Sequence, residues 1–327
     1  MAKPDRIRLL TAPHTDTTQA LLGVVMAGLQ APQKHLPCRL LYDRRGSELF
    51  EQICRLDSYY LTRCEQAIFD ASAAQIVQVA DMPRDVVEFG CGSARKTRAL
   101  LEAAGGRRRP MRFTAIDISR DFLIGSAQAL LDEFPLMQIT CIAAEYNAAL
   151  TMLPAASGPR LFLFLGSNIG NFDDPDAVAF LTSVRAVMAP TDHLLTGVDL
   201  VKDPALLHAA YNDPEGVTAA FNLNILSHLN QAFNANFAPE QFLHEAVWAA
   251  EPGRIEISLR SRCDQEVWIG AAGAHVRFAS GERLYTESSN KYDGARFAAI
   301  SRSAGLKPVN QWLDDRGWFA EFLSRPA

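Results

Sequence analysis

Residues 86–101 read Val-Val-Glu-Phe-Gly-Cys-Gly-Ser-Ala-Arg-Lys-Thr-Arg-Ala-Leu-Leu, and no other stretch constrains the fold as much. The apolar run ending at Phe89 suits a buried strand, Gly90 and Gly92 let the backbone approach a ligand, and the pattern over 96–104 predicts a helix. Glu88 puts an acidic residue at the end of the strand. Asp117 comes 25 residues after Gly92, behind a second strand-like run, Phe113-Thr114-Ala115-Ile116. A carboxylate there can accept from both hydroxyls of a ribose. Strand, glycine turn, helix and distant acid together predict a nucleotide-bearing small molecule.

Two enzyme classes share that pattern, the nicotinamide-dependent oxidoreductases and the class I S-adenosylmethionine methyltransferases. The third position of the glycine pattern bears on the choice. A dinucleotide fold wants a small residue there, so that helix and strand pack closely while the helix start receives a pyrophosphate. Here it is Arg95. S-adenosylmethionine has no phosphate, and a Glu-x-Gly-x-Gly loop without the third glycine suits it better. The loop alone leaves both classes, and a plain structural turn, open.

The rest of the chain narrows the field. With 327 residues, 48% hydrophobic and 21% charged, it can hold one large or two ordinary globular domains. A net charge of -5 without a dense basic stripe argues against nucleic acid, with Arg107-Arg108-Arg109 read as a solvated loop. The six cysteines form no Cys-x-x-Cys pair and no regular framework, which predicts a reduced, cytoplasmic setting. The seven histidines have no zinc-site spacing, so no metal is expected. The apolar run over 20–29 is too short to span a membrane and follows a polar Thr-Asp-Thr-Thr segment, so it reads as a soluble helix.

Past Asp117 the chain alternates strands with helices of crossover length. Ser119 is placed to cap a helix through Phe122, Ala127 and Leu131, and 137–142 reads as a third strand followed by Glu145-Tyr146. Residues 161–165 are continuously apolar, as for a strand covered on both faces, and lead into Gly166-Ser167-Asn168-Ile169-Gly170-Asn171. A helix over 175–188 and a strand over 193–200 follow. This order predicts a doubly wound parallel sheet with ligands at the carboxyl ends of its strands. A helix over 293–304, stopped by Gly305, precedes strands at 306–313 and 318–323 joined by Asp314-Asp315-Arg316-Gly317. Such a terminal hairpin completes the sheet of class I methyltransferases and weighs against the oxidoreductase. Residues 201–291 exceed what that fold needs. They read as helix over 203–229 and strands over 254–262, 266–271 and 275–278.

The fold class expected is therefore α/β, a Rossmann-like doubly wound sheet with a terminal β-hairpin of class I S-adenosylmethionine methyltransferase type, plus an α+β substrate-binding domain. Residues 65–200 and 292–327 are assigned to the cofactor domain, and 1–64 and 201–291 to the substrate domain.

Several segments in order then resemble one family, the histidine N-alpha-methyltransferases of ergothioneine biosynthesis. They are Leu41-Tyr42-Asp43-Arg44-Arg45-Gly46-Ser47-Glu48-Leu49-Phe50, Tyr59-Tyr60-Leu61-Thr62-Arg63, the opening glycine motif and Gly166 to Asn171. Further on come Leu200-Val201-Lys202-Asp203, 211–222 and Glu287-Ser288-Ser289-Asn290-Lys291-Tyr292. The resemblance spans nearly the whole chain. It implies three successive methylations of the α-amine of histidine by S-adenosylmethionine, giving the betaine hercynine. The partners expected are small molecules, with no nucleic acid or membrane, and the chain is expected to be a monomer. Carried over position by position, it puts Gly90, Lys96, Asp117, Glu145 and Tyr146 at the cofactor, with Lys96 near the methionine carboxylate, Asp117 at the ribose and the last two beside the adenine. Tyr42 resembles the tyrosine near the reacting centre, and Tyr59 the one facing the substrate. Asn171 and Tyr211 would hold the amino-acid end of histidine, and Glu287 and Ser289 its imidazole. The catalytic pair implied is Tyr42 and Asn171.

Each residue has a plainer reading when taken alone. Glu287 is a solvated strand carboxylate, Tyr59 and Tyr211 are core aromatics, Asn171 makes a turn, Lys96 lies on a helix surface and Asp117 caps a helix. Glu287 becomes a ligand candidate only with Ser289 and Lys291-Tyr292 following at the family spacing; two apart on a strand, Glu287 and Ser289 would then point to one side and can satisfy the N–H groups of an imidazole. An indole offers one donor, which argues against tryptophan as the acceptor. Retention of the polar set from Tyr42 to Ser289 argues against a silent S-adenosylmethionine-binding protein. Two positions depart from the family pattern. Leu61 stands where proline is usual, and Glu145 where aspartate is usual.

Overall fold

The computed structural model describes residues 6–11 and 18–327. Residues 1–5 and 12–17 of the expected substrate segment, including Thr15 to Thr17 of the polar stretch, lie outside the described residues. The chain forms two compact units, one of residues 1–12, 61–201 and 290–327 and the other of 13–60 and 202–289.

The first unit is built on strands β1 (Ile7–Thr11), β2 (Asp85–Phe89), β3 (Met111–Asp117), β4 (Met137–Ala143), β5 (Arg160–Phe164), β6 (His193–Asp199), β12 (Leu306–Leu313) and β13 (Phe319–Pro326). Their order across the sheet is β1-β4-β3-β2-β5-β6-β13-β12. The first six run parallel, and the last two form the antiparallel hairpin. Helices α3 (Tyr60–Val79), α4 (Thr97–Ala103), α5 (Arg120–Glu133), α6 (Tyr146–Leu150), α7 (Asp174–Val187) and α10 (Gly294–Ser303) belong to this unit. Strands β2 and β5 are buried at every residue, which is why β5 reads as an apolar run from Leu161 on, while β2 takes Asp85 and Glu88 into the interior. Phe89, Phe162, Phe164 and Phe180 anchor one continuous core with Ile116, Leu181, Phe297 and Phe322. Each such ring, fully buried, contributes about 1.5–3 kcal/mol.

The second unit contains α1 (Thr18–Gln30), α2 (Arg44–Ile53), α8 (Pro204–Tyr211) and α9 (Val217–Phe233), with β7 (Phe242–Ala249), β8 (Arg254–Ser261), β9 (Gln265–Ile269), β10 (Ala274–Phe278) and β11 (Arg283–Asn290). Strands β11, β8 and β7 form one sheet, and β10 and β9 a separate pair. Phe221, Ile225, Leu226, Leu229 and Phe233 line the buried side of α9.

Four local expectations need correction. The helical pattern over 203–229 is two helices, because Pro214 bars its predecessor from helical geometry. Asp213 instead accepts the N–H groups of Val217 at 2.7 Å and Thr218 at 2.8 Å, starting α9 afresh. Strand β7 escaped notice because His244 and Glu245 interrupt its apolar alternation. Glu245 is drawn into the sheet by Arg260 at 2.5 Å and Arg283 at 2.9 Å. Strand β1 also gave no distinct signal, yet it pairs with β4 along its whole length. Finally, the Ser119 side chain makes no cap bond; its N–H is taken by Asp117 Oδ1 at 2.9 Å.

Candidate active site

In the sheet unit, the chain leaves β2 through Gly90 and Gly92, both with positive φ (67° and 48°). Gly90 and Cys91 donate their N–H groups to the Ile116 carbonyl at 2.8 and 3.2 Å, and Gly92 donates to Asp117 Oδ2 at 3.1 Å. Ser126 Oγ closes the loop by donating to the Gly92 carbonyl at 2.7 Å. Asp117 thus fixes both the glycine loop and the start of α5. Burial pushes its carboxyl above the usual range, against the N–H groups of Ser119, Gly92 and Ile118. A side chain at Gly90 has no room, since an added Cβ would lie 2.8 Å from the Tyr146 hydroxyl and 2.9 Å from the Asn168 amide. One at Gly92 would meet open space.

Tyr146 therefore reaches the glycine loop. Its ring packs on Phe89 at 5.9 Å and on Phe164 and Phe180 at 5.5 Å, which fixes the hydroxyl beside Gly90. Glu145, just before it, is exposed and makes no side-chain cap to α6. Lys96, at the start of α4, is ion-paired with Glu65. Its Nζ lies 3.0 Å from where a Cβ on Gly166 would be. Arg95 is exposed, leaving the start of α4 without the small third residue that a pyrophosphate needs. One carboxylate beside an open glycine, one ammonium and no small residue at position 95 fit S-adenosylmethionine better than a dinucleotide.

Asn171 ends a 3-10 turn over Asn168–Asn171. Asn290, buried, donates from Nδ2 to the carbonyls on either side of it, Gly170 at 3.0 Å and Phe172 at 2.9 Å. The Tyr292 hydroxyl adds a bond to the Ile169 carbonyl at 3.1 Å. Lys291 and Asp199 form an ion pair at 2.8 Å with neither side chain exposed. The second half of the Glu287-to-Tyr292 motif is therefore structural in this unit.

In the other unit, the remaining sequence candidates meet on one chain of aromatic rings. Tyr42 packs edge-on against Phe50 at 5.6 Å and Phe221 at 5.4 Å, Phe50 against Tyr59 at 6.4 Å, and Tyr59 against Tyr211 at 6.1 Å. The polar tips at its two ends touch β11: the Tyr42 hydroxyl donates to Glu287 Oε1 at 3.4 Å, and the Tyr211 hydroxyl lies 2.8 Å from Ser289 Oγ. Thr286 points the opposite way and donates to Asn222 Oδ1 at 2.7 Å. Burial holds His244 below its usual range and so neutral; its Nε2 donates to the Tyr211 carbonyl at 2.9 Å while Nδ1 accepts from Asn222 at 3.0 Å. The Cys38 thiol is pushed up to about 12 by burial and by the charge of Glu287. Leu61, standing where proline is usual in the resemblance, is buried as the second residue of α3.

Glu65, Asn168, Asn222, His244 and Asn290 were not among the candidates. Asn168, Asn222 and Asn290 lie inside the motifs of the resemblance and Glu65 two residues beyond the one ending at Arg63, whereas His244 has no neighbouring signal in sequence.

The family model described as histidine-specific, S-adenosylmethionine-dependent methyltransferase matches residues 21–326. The histidine N-alpha-methyltransferase of Mycobacterium tuberculosis is 41% identical over 93% of this chain and 94% of its own length. That of Mycolicibacterium smegmatis is 39% identical over 94% of this chain and 95% of its own. Ergothioneine biosynthesis protein 1 of Neurospora crassa is 32% identical over 85% of this chain but only 32% of its own length. Among the described residues no helix is long and apolar enough to cross a membrane. With its sheet order, its hairpin and these matches, the chain is a class I methyltransferase that uses S-adenosylmethionine, and it belongs to the family of histidine-specific methyltransferases.

Proposed function

We propose that this protein methylates the α-amine of L-histidine three times, giving hercynine as a first step towards ergothioneine. The observation that carries the acceptor is the placement of Glu287 and Ser289 at the two ends of one aromatic row. A neutral imidazole offers one N–H donor and one acceptor nitrogen, and an imidazolium two donors. Glu287 can take a donor, and the Ser289 hydroxyl serves either partner. A ligand lacking those groups forfeits a hydrogen bond to a partly buried carboxylate, at a cost of about 1–3 kcal/mol.

S-adenosylmethionine supplies a methyl group on a positive sulfur. The protein's part is to hold the two reactants. Gly90 receives the cofactor through its backbone, Lys96 neutralises the methionine carboxylate, Asp117 accepts from the ribose, and Glu145 and Tyr146 flank the adenine. Asn171 and Tyr211 orient the amino-acid end, Tyr59 faces it, and Tyr42 lies near the reacting nitrogen. Positioning a neutral amine can supply most of the rate, so no dedicated strong base is needed. Each transfer leaves a cationic amine that must lose a proton before the next. The tyrosine rings favour the cationic product by cation-π attraction. The unit holding 202–289 is thereby assigned to the substrate, and the one holding 61–201 to the cofactor. We place the enzyme in the cytoplasm as a monomer, where its six cysteines, which form no Cys-x-x-Cys pair, stay reduced.

The test is to incubate the purified protein with S-adenosylmethionine and mixed amino acids and read products by mass spectrometry. Histidine should gain one, two and three methyl groups. Methylation of tryptophan in preference, or none at all, would overturn the proposal.

A further inference from the structure

Glu65 on α3 and Glu321 on β13 have no exposed surface. Glu65 is well served: Oε1 accepts the Gly166 N–H at 2.5 Å, and Oε2 is paired with Lys96. Neither oxygen of Glu321 has a hydrogen-bond partner from a fixed N–H or O–H group. A buried carboxylate in that position costs several kcal/mol, and a proton on Glu321 removes the charge while creating a donor. Burial and the negative charge of Glu65 both push Glu321 well above the ordinary carboxyl range, against the pull of Lys96. The acceptor is Glu65 itself. Oxygens of the two side chains crowd the same face of Gly197, where an added Cβ would lie 2.6 Å from Glu65 Oε1 and 2.9 Å from Glu321 Oε1. The nearby acid Glu88 has its own donor, Thr97 Oγ1 at 2.7 Å.

The arrangement has a definite charge balance. One ionised carboxylate, one carboxylic acid and one ammonium sum to zero. A Cβ on Gly166, at the start of the turn leading to Asn171, would lie 3.0 Å from Lys96 Nζ, so the absence of a side chain there leaves room for the ammonium. Were both acids ionised, the cluster would carry a net negative charge and repel a carboxylate brought to Lys96.

We propose that Glu65 is a positioning residue for cofactor binding, holding the Lys96 ammonium and the Gly166 N–H in place, with Glu321 as its carboxylic-acid donor. This rests on the reading of Lys96 as the partner of the methionine carboxylate. Glu65 itself does not touch the cofactor.

The experiment measures S-adenosylhomocysteine and histidine binding by calorimetry on the full chain, with melting temperatures alongside. Glu65→Gln presents an amide N–H₂ towards the ammonium and should weaken S-adenosylhomocysteine by about tenfold or more. Its histidine affinity should stay within about twofold, since the two ligands share no partner among these groups. If Glu65→Gln does not fold, Glu65→Asp keeps the charge but withdraws it by one methylene, and should weaken the same ligand by about fivefold. Glu321→Gln keeps a donor towards Glu65 and should rescue the affinity that Glu321→Leu loses. Wild-type affinity for S-adenosylhomocysteine in a folded Glu65 variant would overturn the proposal, as would equal affinity in the two Glu321 variants. Failure of the wild type to methylate histidine, with this binding pattern intact, would count against the acceptor and leave the Glu65 assignment standing.

Discussion

The residues assigned to the cofactor and those assigned to histidine are assembled in different ways. Gly90, Lys96, Asp117 and Tyr146 sit within or just beyond the ends of β2, β3 and β4, neighbours in one parallel sheet. Tyr42, Tyr59, Tyr211, Glu287 and Ser289 come from a 3-10 turn, the approach to α3, the end of α8 and a strand, and they are joined by ring contacts and two hydrogen bonds. A parallel sheet collects ligand groups at one edge because every strand ends there. No such rule collects the second set. The cofactor half is therefore general to a fold, while the acceptor half is particular to a family.

The sharpest way to break that contrast is at Lys291, which belongs to the same motif as Glu287 but is paired with Asp199 in the sheet unit. Lys291→Ala should take the ion pair away from the buried Asp199, costing about 3–5 kcal/mol of stability by denaturant titration. A stable variant that lost only histidine affinity would place Lys291 with the acceptor after all. A reciprocal pair comes next. Glu287→Ala should cost about 1.5–3 kcal/mol of histidine binding and leave S-adenosylhomocysteine binding unchanged, and Asp117→Ala the reverse, both by calorimetry. Equal losses of both ligands in either variant would dissolve the division. The last effect is a pH slope, small over any one pH unit. Burial pushes the Glu88 carboxyl up to about 8, against the Thr97 hydrogen bond and the charge of Lys96. Its proton is kept on folding but released by the unfolded chain above about 4.5. The associated stability is fully present below that point and is lost as pH rises through about 8, with a slope of at most about 1.4 kcal/mol per pH unit. Glu88→Gln should flatten this slope in melting curves taken between those limits.

The contrast also explains what could be read from the sequence. The succession of strands and helices from β2 to β6 and the terminal hairpin were legible because the buried strands are rich in apolar residues and the crossovers are helices. Gly90 and Asp117 were legible because a short loop and a fixed separation encode their geometry. Glu287 was not: its plain reading was a solvated carboxylate, and only several distant motifs in order singled it out. Glu65 was not singled out, because its partners lie 31, 101 and 256 positions away along the chain. Strand β7 was hidden by an acid whose two arginine partners are on other strands.

Strand β11 and the residues after it carry two tasks in alternation. Glu287 and Ser289 face the aromatic row, Thr286 faces Asn222, and Asn290, Lys291 and Tyr292 hold the turn of Asn171 and the end of β6. A one-residue insertion or deletion here would exchange the faces and break both tasks at once. A point change at 287 or 289 alters only one. On the proposed assignment of Glu287 and Ser289 to the acceptor, its choice is open to stepwise substitution and closed to changes in length.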